Sequence, residues 1–261
     1  MSKLYDVFSF YNEGDLLDLR LHELWDVVDQ FIVVEGDHTF AGTPITSYIK
    51  ENWERYAWAE EKLRHVVVSL QSSPKSRWDN EALQRDGFSL GLHDAHPDDL
   101  ILIGCVDEIP RKEVLTYYKE RGGDVLTLFE LQNFYYYFNG KDIGVGADFP
   151  CPVLTRRENI TEGVHKLWDK RYSYPLTKNA GWHFSYLGGA EQIAKKLEAF
   201  SHSEFDTEYH KDPKRLEQVI SQGGDIFDRP SREYEYVRID SKSDFPTYLK
   251  ENKTKFRKYI L

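Results

Sequence analysis

Leu100-Ile-Leu-Ile-Gly-Cys-Val-Asp-Glu-Ile-Pro110 is the stretch on which the fold turns. Four large apolar residues in succession, with no helical alternation, read as a strand buried on both faces. The run stops at Gly104-Cys105 and delivers Asp107 and Glu108 at its carboxyl end. Pro110 is expected to end ladder pairing there. Open α/β sheets bind ligands at the carboxyl ends of their strands. Two adjacent carboxylates in that place suit a divalent cation, and a cation suits a phosphorylated substrate. The plainer alternative is that both acids open the next helix, where carboxylates favour the positive end of the dipole.

Upstream, Tyr5 to Phe10 reads as a first strand, broken by Asn12-Glu-Gly-Asp15. Leu17, Leu21, Leu24 and Val28 then lie at spacings of four, three and four, one apolar helical stripe. Asp18, Arg20, Glu23 and Asp26 take the wet face in this reading. Phe31-Ile-Val-Val34 is the second strand, so the first three elements form a β-α-β unit, expected to be parallel and right-handed. Val66-Val-Val68 gives a third strand and Glu81 to Leu92 a helix. The sequence therefore predicts an α/β fold with a mostly parallel central sheet flanked by helices. Residues 111–261 read differently, with β-rich Val125–Leu131 and Phe134–Phe138, and a loop over Gly140–Pro152. A short strand is expected in Gly181–Gly189 and a helix from Ala190 with Ile193, Ala194, Leu197 and Phe200 inward. Asp212, Pro213 and Gly223 bracket another helix. A last one is expected around Tyr248–Tyr259, its lysines and Arg257 forming a solvated face. With no repeat, low-complexity segment or linker, one domain over 1–261 is expected.

The chain has 261 residues, enough for a substantial core, and a net charge of -10 from 44 acidic and 34 basic residues. That balance argues against a nucleic-acid partner. No apolar run approaches the roughly 20 residues of a membrane-spanning helix. Met1-Ser-Lys-Leu-Tyr-Asp has no signal-peptide character, and Cys105 and Cys151 make no disulfide framework. A soluble, cytoplasmic protein is the expectation. Aromatics are 15% of the chain, compatible with sugar stacking and equally with core filling.

Several stretches together resemble glycosyltransferase family 17, the β-1,4-N-acetylglucosaminyltransferases that include the enzyme adding bisecting GlcNAc to N-glycans. They are Asp15-Leu-Leu-Asp-Leu-Arg-Leu-His-Glu-Leu24, Val27-Val-Asp29, Phe31-Ile-Val-Val-Glu35, Thr39-Phe-Ala-Gly-Thr-Pro44, Asp107-Glu-Ile-Pro110, Ala180-Gly-Trp-His-Phe-Ser185 and Gly223-Gly-Asp225. Their order is the family's, and they cover most of the chain. The resemblance implies a GT-A-like nucleotide-sugar fold, with 1–110 as the nucleotide-binding half and 111–261 as the acceptor-side half. It also implies a UDP-sugar donor, a glycan acceptor, and Mn²⁺ or Mg²⁺ as cofactor. Animal members are membrane-anchored in the secretory pathway, so a microbial or viral cytoplasmic relative is expected here. Two departures stand out. Cys105 occupies the position of a further acid two before Asp107, which removes one oxygen ligand for a hard cation. Ile45 replaces a basic residue often found after the Pro.

The resemblance also distributes roles. Inverting transfer needs a carboxylate base for the acceptor and positive charge for the leaving diphosphate. Asp107 and Glu108 are assigned to metal and diphosphate, with His183 as a late ligand. Glu191, at a helix start after Gly188-Gly189, is the candidate base and Asp225 its rival; the plainer role of a first-turn acid is to complement the dipole. Asn12, Glu13 and Glu35 would face the donor nucleotide, or merely cap and end their elements. Arg85 and Asp86 would contact the nucleotide, Arg85 being otherwise a helix ion-pair partner of Glu81. Trp182 would stack on a sugar or fill the core. The alternative function is a catalytically impaired nucleotide-sugar-binding protein; a metal phosphohydrolase is weaker, because such sites need more ligands.

Overall fold

The computed structural model describes residues 2–261. Among them, ten strands form one sheet: β1 Leu4–Ser9, β2 Gln30–Gly36, β3 Leu63–Val68, β4 Leu100–Cys105, β5 Glu108–Pro110, β6 Leu126–Tyr135, β7 Gly140–Asp142, β8 Phe149–Arg156, β9 Leu176–Ser185 and β10 Tyr234–Tyr236. The main path runs β10-β7-β6-β8-β4-β1-β2-β3, with β9 pairing β6 and β5 off it. The four strands of the first half, β3-β2-β1-β4, are parallel throughout. Beyond β4 the sheet continues through antiparallel β8, β6, β7 and β10, with β9 parallel to β6.

The chemistry explains the split. Leu100–Ile103 is fully buried, with Leu102 in one core layer and Ile101 and Ile103 in the other, as a strand covered on both faces requires. Its neighbour β1 repeats the pattern, Leu4 and Phe8 on one side, Tyr5 and Val7 on the other. The helix Gly14–Leu24 covers the first layer, and Phe88, Leu92, Val164, Leu167 and Trp168 cover the second.

Four sequence expectations are corrected. Gly140–Pro152 is not all loop: β7 and the start of β8 lie inside it. The two β segments after Val125 are one strand, β6. The terminal helix stops at Glu251, followed by turns and a 3-10 turn at Arg257–Tyr259. Pro110 does not end the pairing. β5 lies antiparallel to β9 with Pro110 opposite Gly181, and the next amide, Arg111 N–H, donates to the Ala180 carbonyl at 2.7 Å. Proline costs this ladder nothing because β5 pairs on one side only, with β9, and the Pro110 nitrogen faces the unpaired edge.

A fifth correction concerns the first helix. Asp26 is exposed, but Asp18, Arg20 and Glu23 are buried, Arg20 completely. Arg20 forms a two-bond ion pair with fully buried Asp6, at 2.6 and 2.8 Å. Its Nη1 also donates to the carbonyls of Cys105, at 2.9 Å, and Glu108. One guanidinium thus ties β1 to the turn between β4 and β5. That turn carries Asp107.

Candidate functional site

A cavity of about 420 Å³ opens where the parallel strands end. Ser9 from β1, Gly36 from β2 and Cys105 from β4 line its floor, followed by Asp107 and Glu108. Gly104 is required by close approach. A Cβ there would lie 2.6 Å from Glu108 Oε2 and 2.8 Å from Pro152 Cβ. The Cys105 amide donates to that same Glu108 Oε2 at 2.8 Å.

The opposite wall comes from the second half. β5 pairs with β9 so that Glu108 lies across from His183. The pleat alternates side chains, so His183 and Ser185 face the cavity while Trp182 and Phe184 enter the core. His183 Nδ1 lies 2.8 Å from Asn133 Oδ1. That oxygen is an acceptor, so Nδ1 donates to it, and Nε2 faces Asp107 at 3.5 Å. Phe149 stacks on the imidazole at 4.0 Å between centroids. Lys196 arrives from the helix Gly189–Ala199, one residue before buried Leu197 on the helix's inward stripe. Its Nζ bonds Glu13 Oε1 at 2.9 Å and Asp107 Oδ2 at 3.0 Å.

These contacts separate two adjacent acids. Burial alone would raise Asp107, but the Lys196 ammonium and His183 outweigh it and hold the carboxyl below its ordinary range. Burial, then the neighbouring Asp107 charge, pushes Glu108 up. Burial also raises Glu13, and raises the Cys105 thiol, with the Glu108 charge adding to it, so Cys105 stays protonated. Cys105 Sγ and one oxygen each of Asp107 and Glu108 lie within 4.8 Å of one another, the cluster among the described residues able to gather round a metal.

The third wall is the helix Arg77–Asp86. Arg85 is 5% exposed and lies over the Trp168 ring at 3.8 Å. Its Nη2 bonds Glu81 at 3.0 Å, while Nε and Nη1 have no protein partner among the described residues. Buried guanidinium hydrogens without acceptors are costly, and on a cavity wall they are placed to receive an anionic or carbonyl oxygen. Phe40, Phe200, Phe205, Phe227 and Tyr186 make the remaining wall apolar.

The structure brings Glu13, Arg85, Asp107, Glu108 and His183 together and places the other candidates elsewhere. Glu191 does not face the cavity: its side chain is 85% exposed and pairs with Lys195 at 2.8 Å. It lies on the outer face of the helix whose inner face holds Ile193 and Leu197. Asp225 is a structural ion-pair partner, taking Arg229 Nε at 2.9 Å, Arg229 Nη2 at 2.7 Å and the Tyr234 hydroxyl at 3.0 Å. Asp86 is turned outward and accepts the His165 amide at 2.8 Å. Glu35 takes the Tyr48 and Ile49 amides and lies 2.7 Å from His65 Nε2, capping a short helix away from the cavity. Asn12, at φ 53°, lines a separate polar pocket of about 310 Å³ that shares Glu13 with the main cavity. Trp182 is a core residue, its indole N–H donating to the Asp244 carbonyl at 3.0 Å.

Sequence reasoning missed Lys196. The signal was present: a lysine standing among Ile193, Ala194, Leu197 and Phe200 occupies a stripe that otherwise faces inward. It also missed Arg229, Ser185 and the Asn133 partner of His183, which only long-range pairing and packing bring near.

Fold and cavity define an α/β protein with a charged ligand site at the carboxyl ends of parallel strands. The model of the family described as Glycosyltransferase family 17 matches residues 1–261, and the chain belongs to that family. Among curated proteins it is 28% identical to a rat protein named beta-1,4-mannosyl-glycoprotein 4-beta-N-acetylglucosaminyltransferase, over 99% of this chain and 54% of that protein. The human protein of the same name is also 28% identical, over 99% of this chain and 55% of its own length. The chain thus spans about half the length of the curated relatives it matches. Among solved structures, an inositol-1-phosphate CTP transferase from T. maritima aligns with TM-score 0.39 and 11% identity, covering 77% of this chain and 98% of that one. That likeness is too loose to argue from. Among the described residues, no helix is long and apolar enough to cross a membrane.

Proposed function

We propose that this chain is an inverting glycosyltransferase that moves a sugar from a UDP-sugar, with GlcNAc as the sugar, to a glycan acceptor, its two halves acting as one GT-A-like catalytic unit. The observation that carries the reading is the contact of Asp107 with Lys196 and His183, beside Glu108, across a cavity at the carboxyl ends of β1, β2 and β4. The donor's diphosphate lies against Lys196, His183 and Arg85. The apolar wall of Phe205, Phe227 and Tyr186 suits the faces of sugar rings.

In the transfer, the donor's bond between the anomeric carbon and the diphosphate oxygen breaks, and its electron pair leaves with UDP. The acceptor hydroxyl oxygen forms the new bond from the opposite side, and its proton passes to a carboxylate. With Glu191 and Asp225 outside the cavity, the base is Glu108. Only its backbone contact with Cys105 occupies it, and burial lifts its proton affinity toward that of a working base. Asp107, held ionised, instead fixes Lys196 and His183.

A hard divalent cation, the cofactor expected from the sequence, fits these donors poorly. Mg²⁺ and Mn²⁺ call for several oxygen ligands, whereas this cluster offers two carboxylates and a protonated soft sulfur. One Asp107 oxygen is already shared by Lys196 and His183.

The test is UDP release from UDP-GlcNAc with an acceptor panel. Asp107→Ala should reduce turnover by roughly 10²-fold or more, the scale at which preorganised charge stabilisation acts. Equal turnover by the variant would remove the mechanism. Wild-type binding of UDP-GlcNAc with no turnover on any acceptor would favour the impaired binding protein.

A further inference from the structure

Lys196 is anchored by two carboxylates from separate parts of the chain, Glu13 after β1 and Asp107 after β4, at 2.9 and 3.0 Å. Its stem follows the inward stripe of the helix Gly189–Ala199, and its ammonium lies 5.3 Å from the centre of the Tyr186 ring. Tyr186 itself is held at φ 57°. A bulky side chain rarely adopts that conformation. A half-buried charge held by two carboxylates stands at a defined point on the cavity wall. A divalent ion drawn to Asp107 would have to share one carboxylate with that ammonium, and like charges held so close repel each other.

We propose that Lys196 is the resident cation of this site, meeting the diphosphate directly so that nucleotide binding needs no divalent metal ion. The inference rests on the nucleotide-sugar reading above. In the transfer, Lys196 stays protonated: the broken bond's electron pair goes to the diphosphate oxygen, and two ammonium hydrogens remain with Glu13 and Asp107 while the third reaches that oxygen. An ammonium has three donors, enough for all three contacts. Fixed positive charge opposite a developing anion is the arrangement that favours bond breaking. Lys196 is then a catalytic residue that a divalent ion would otherwise replace.

The experiment is calorimetric titration of UDP and of uridine, which has no phosphate, into wild-type, Lys196→Met and Lys196→Arg protein, each with EDTA and with Mn²⁺. The expected result is wild-type UDP affinity within about twofold in the two buffers. Lys196→Met should weaken UDP about tenfold or more in EDTA, the scale of one lost charge-assisted hydrogen bond, and leave uridine unchanged. Lys196→Arg should restore most of the UDP affinity. Wild-type binding of UDP that requires Mn²⁺ would overturn the inference and leave the nucleotide-sugar reading standing, and this comparison does not depend on any variant folding. Unchanged UDP affinity in Lys196→Met would also overturn it. Failure of wild-type protein to bind UDP or uridine in either buffer would overturn the nucleotide-sugar reading itself.

Discussion

The two sides of the cavity are built by different means. The acidic side belongs to the parallel half. Asp107 and Glu108 follow directly from β4, and Arg20 clamps their turn through the carbonyls on either side of it. The cationic side belongs to the second half. His183 reaches its place only because β9 pairs with both β5 and β6, and Lys196 only because its helix packs beside the cavity. The carboxylates are therefore positioned mostly from within the parallel half, and their counter-charges by contacts distant in sequence. Lys196 and Asp107 are separated by 89 positions.

The comparison is broken most severely at Arg20. Arg20→Ala leaves Asp6 as a buried carboxylate without its cation and frees the turn carbonyls. Removing one partner of a buried pair costs about 3–5 kcal/mol. The midpoint of denaturant unfolding should fall accordingly. A variant as stable as the parent would mean that the acidic side does not depend on this clamp.

Glu108→Gln comes next and acts on chemistry rather than fold. Loss of the base should lower kcat by roughly 10²- to 10⁴-fold, with UDP affinity retained by titration. The wild-type kcat/KM should fall as pH falls, because the base must be ionised. The limb should lie above the ordinary value of 4.5, since burial, with the Asp107 charge added, raises this carboxyl. An acid limb at or below that ordinary value would return the base role to another group.

How much of this was legible in the sequence follows from the same division. The parallel half was readable because Leu100–Ile103 and Phe31–Val34 are unbroken apolar runs and the first helix repeats at helical spacing. The place of Asp107 and Glu108 followed from the end of such a run. Period counting failed where a side chain's environment depends on a distant partner. Arg20 looked like a wet-face residue because nothing local announces Asp6 or the Cys105 carbonyl. Glu191 and Lys196 share one helix, and a first-turn acid drew the reading while an inward lysine did not. β7 was hidden in a glycine-rich stretch because Gly140-Lys-Asp142 becomes a strand through its neighbours β6 and β10.

A smaller effect sharpens the third wall. Arg85→Met removes a buried guanidinium whose Nε and Nη1 lack protein partners among the described residues. The loss of charge-assisted bonds to the donor should weaken UDP-GlcNAc about tenfold, equivalent to about 1.4 kcal/mol. Thermal stability without ligand should hold or rise, because an apolar side chain of similar length fills the space without stranded hydrogens. A fall in stability with unchanged donor affinity would make Arg85 a structural partner of Glu81 and Trp168 alone.

The smallest effect is expected at Glu191, where sequence and structure disagree outright. Its carboxylate stands in solvent beside Lys195, on the face of the helix opposite the one that directs Lys196 into the cavity. Glu191→Gln removes a surface pair of the kind that contributes little. Turnover should remain within about twofold of the parent, since general-base loss would cost at least about a hundredfold. A loss of that larger size would show that this helix turn reorients when an acceptor binds, and would move the base from the acidic side of the cavity to the cationic one.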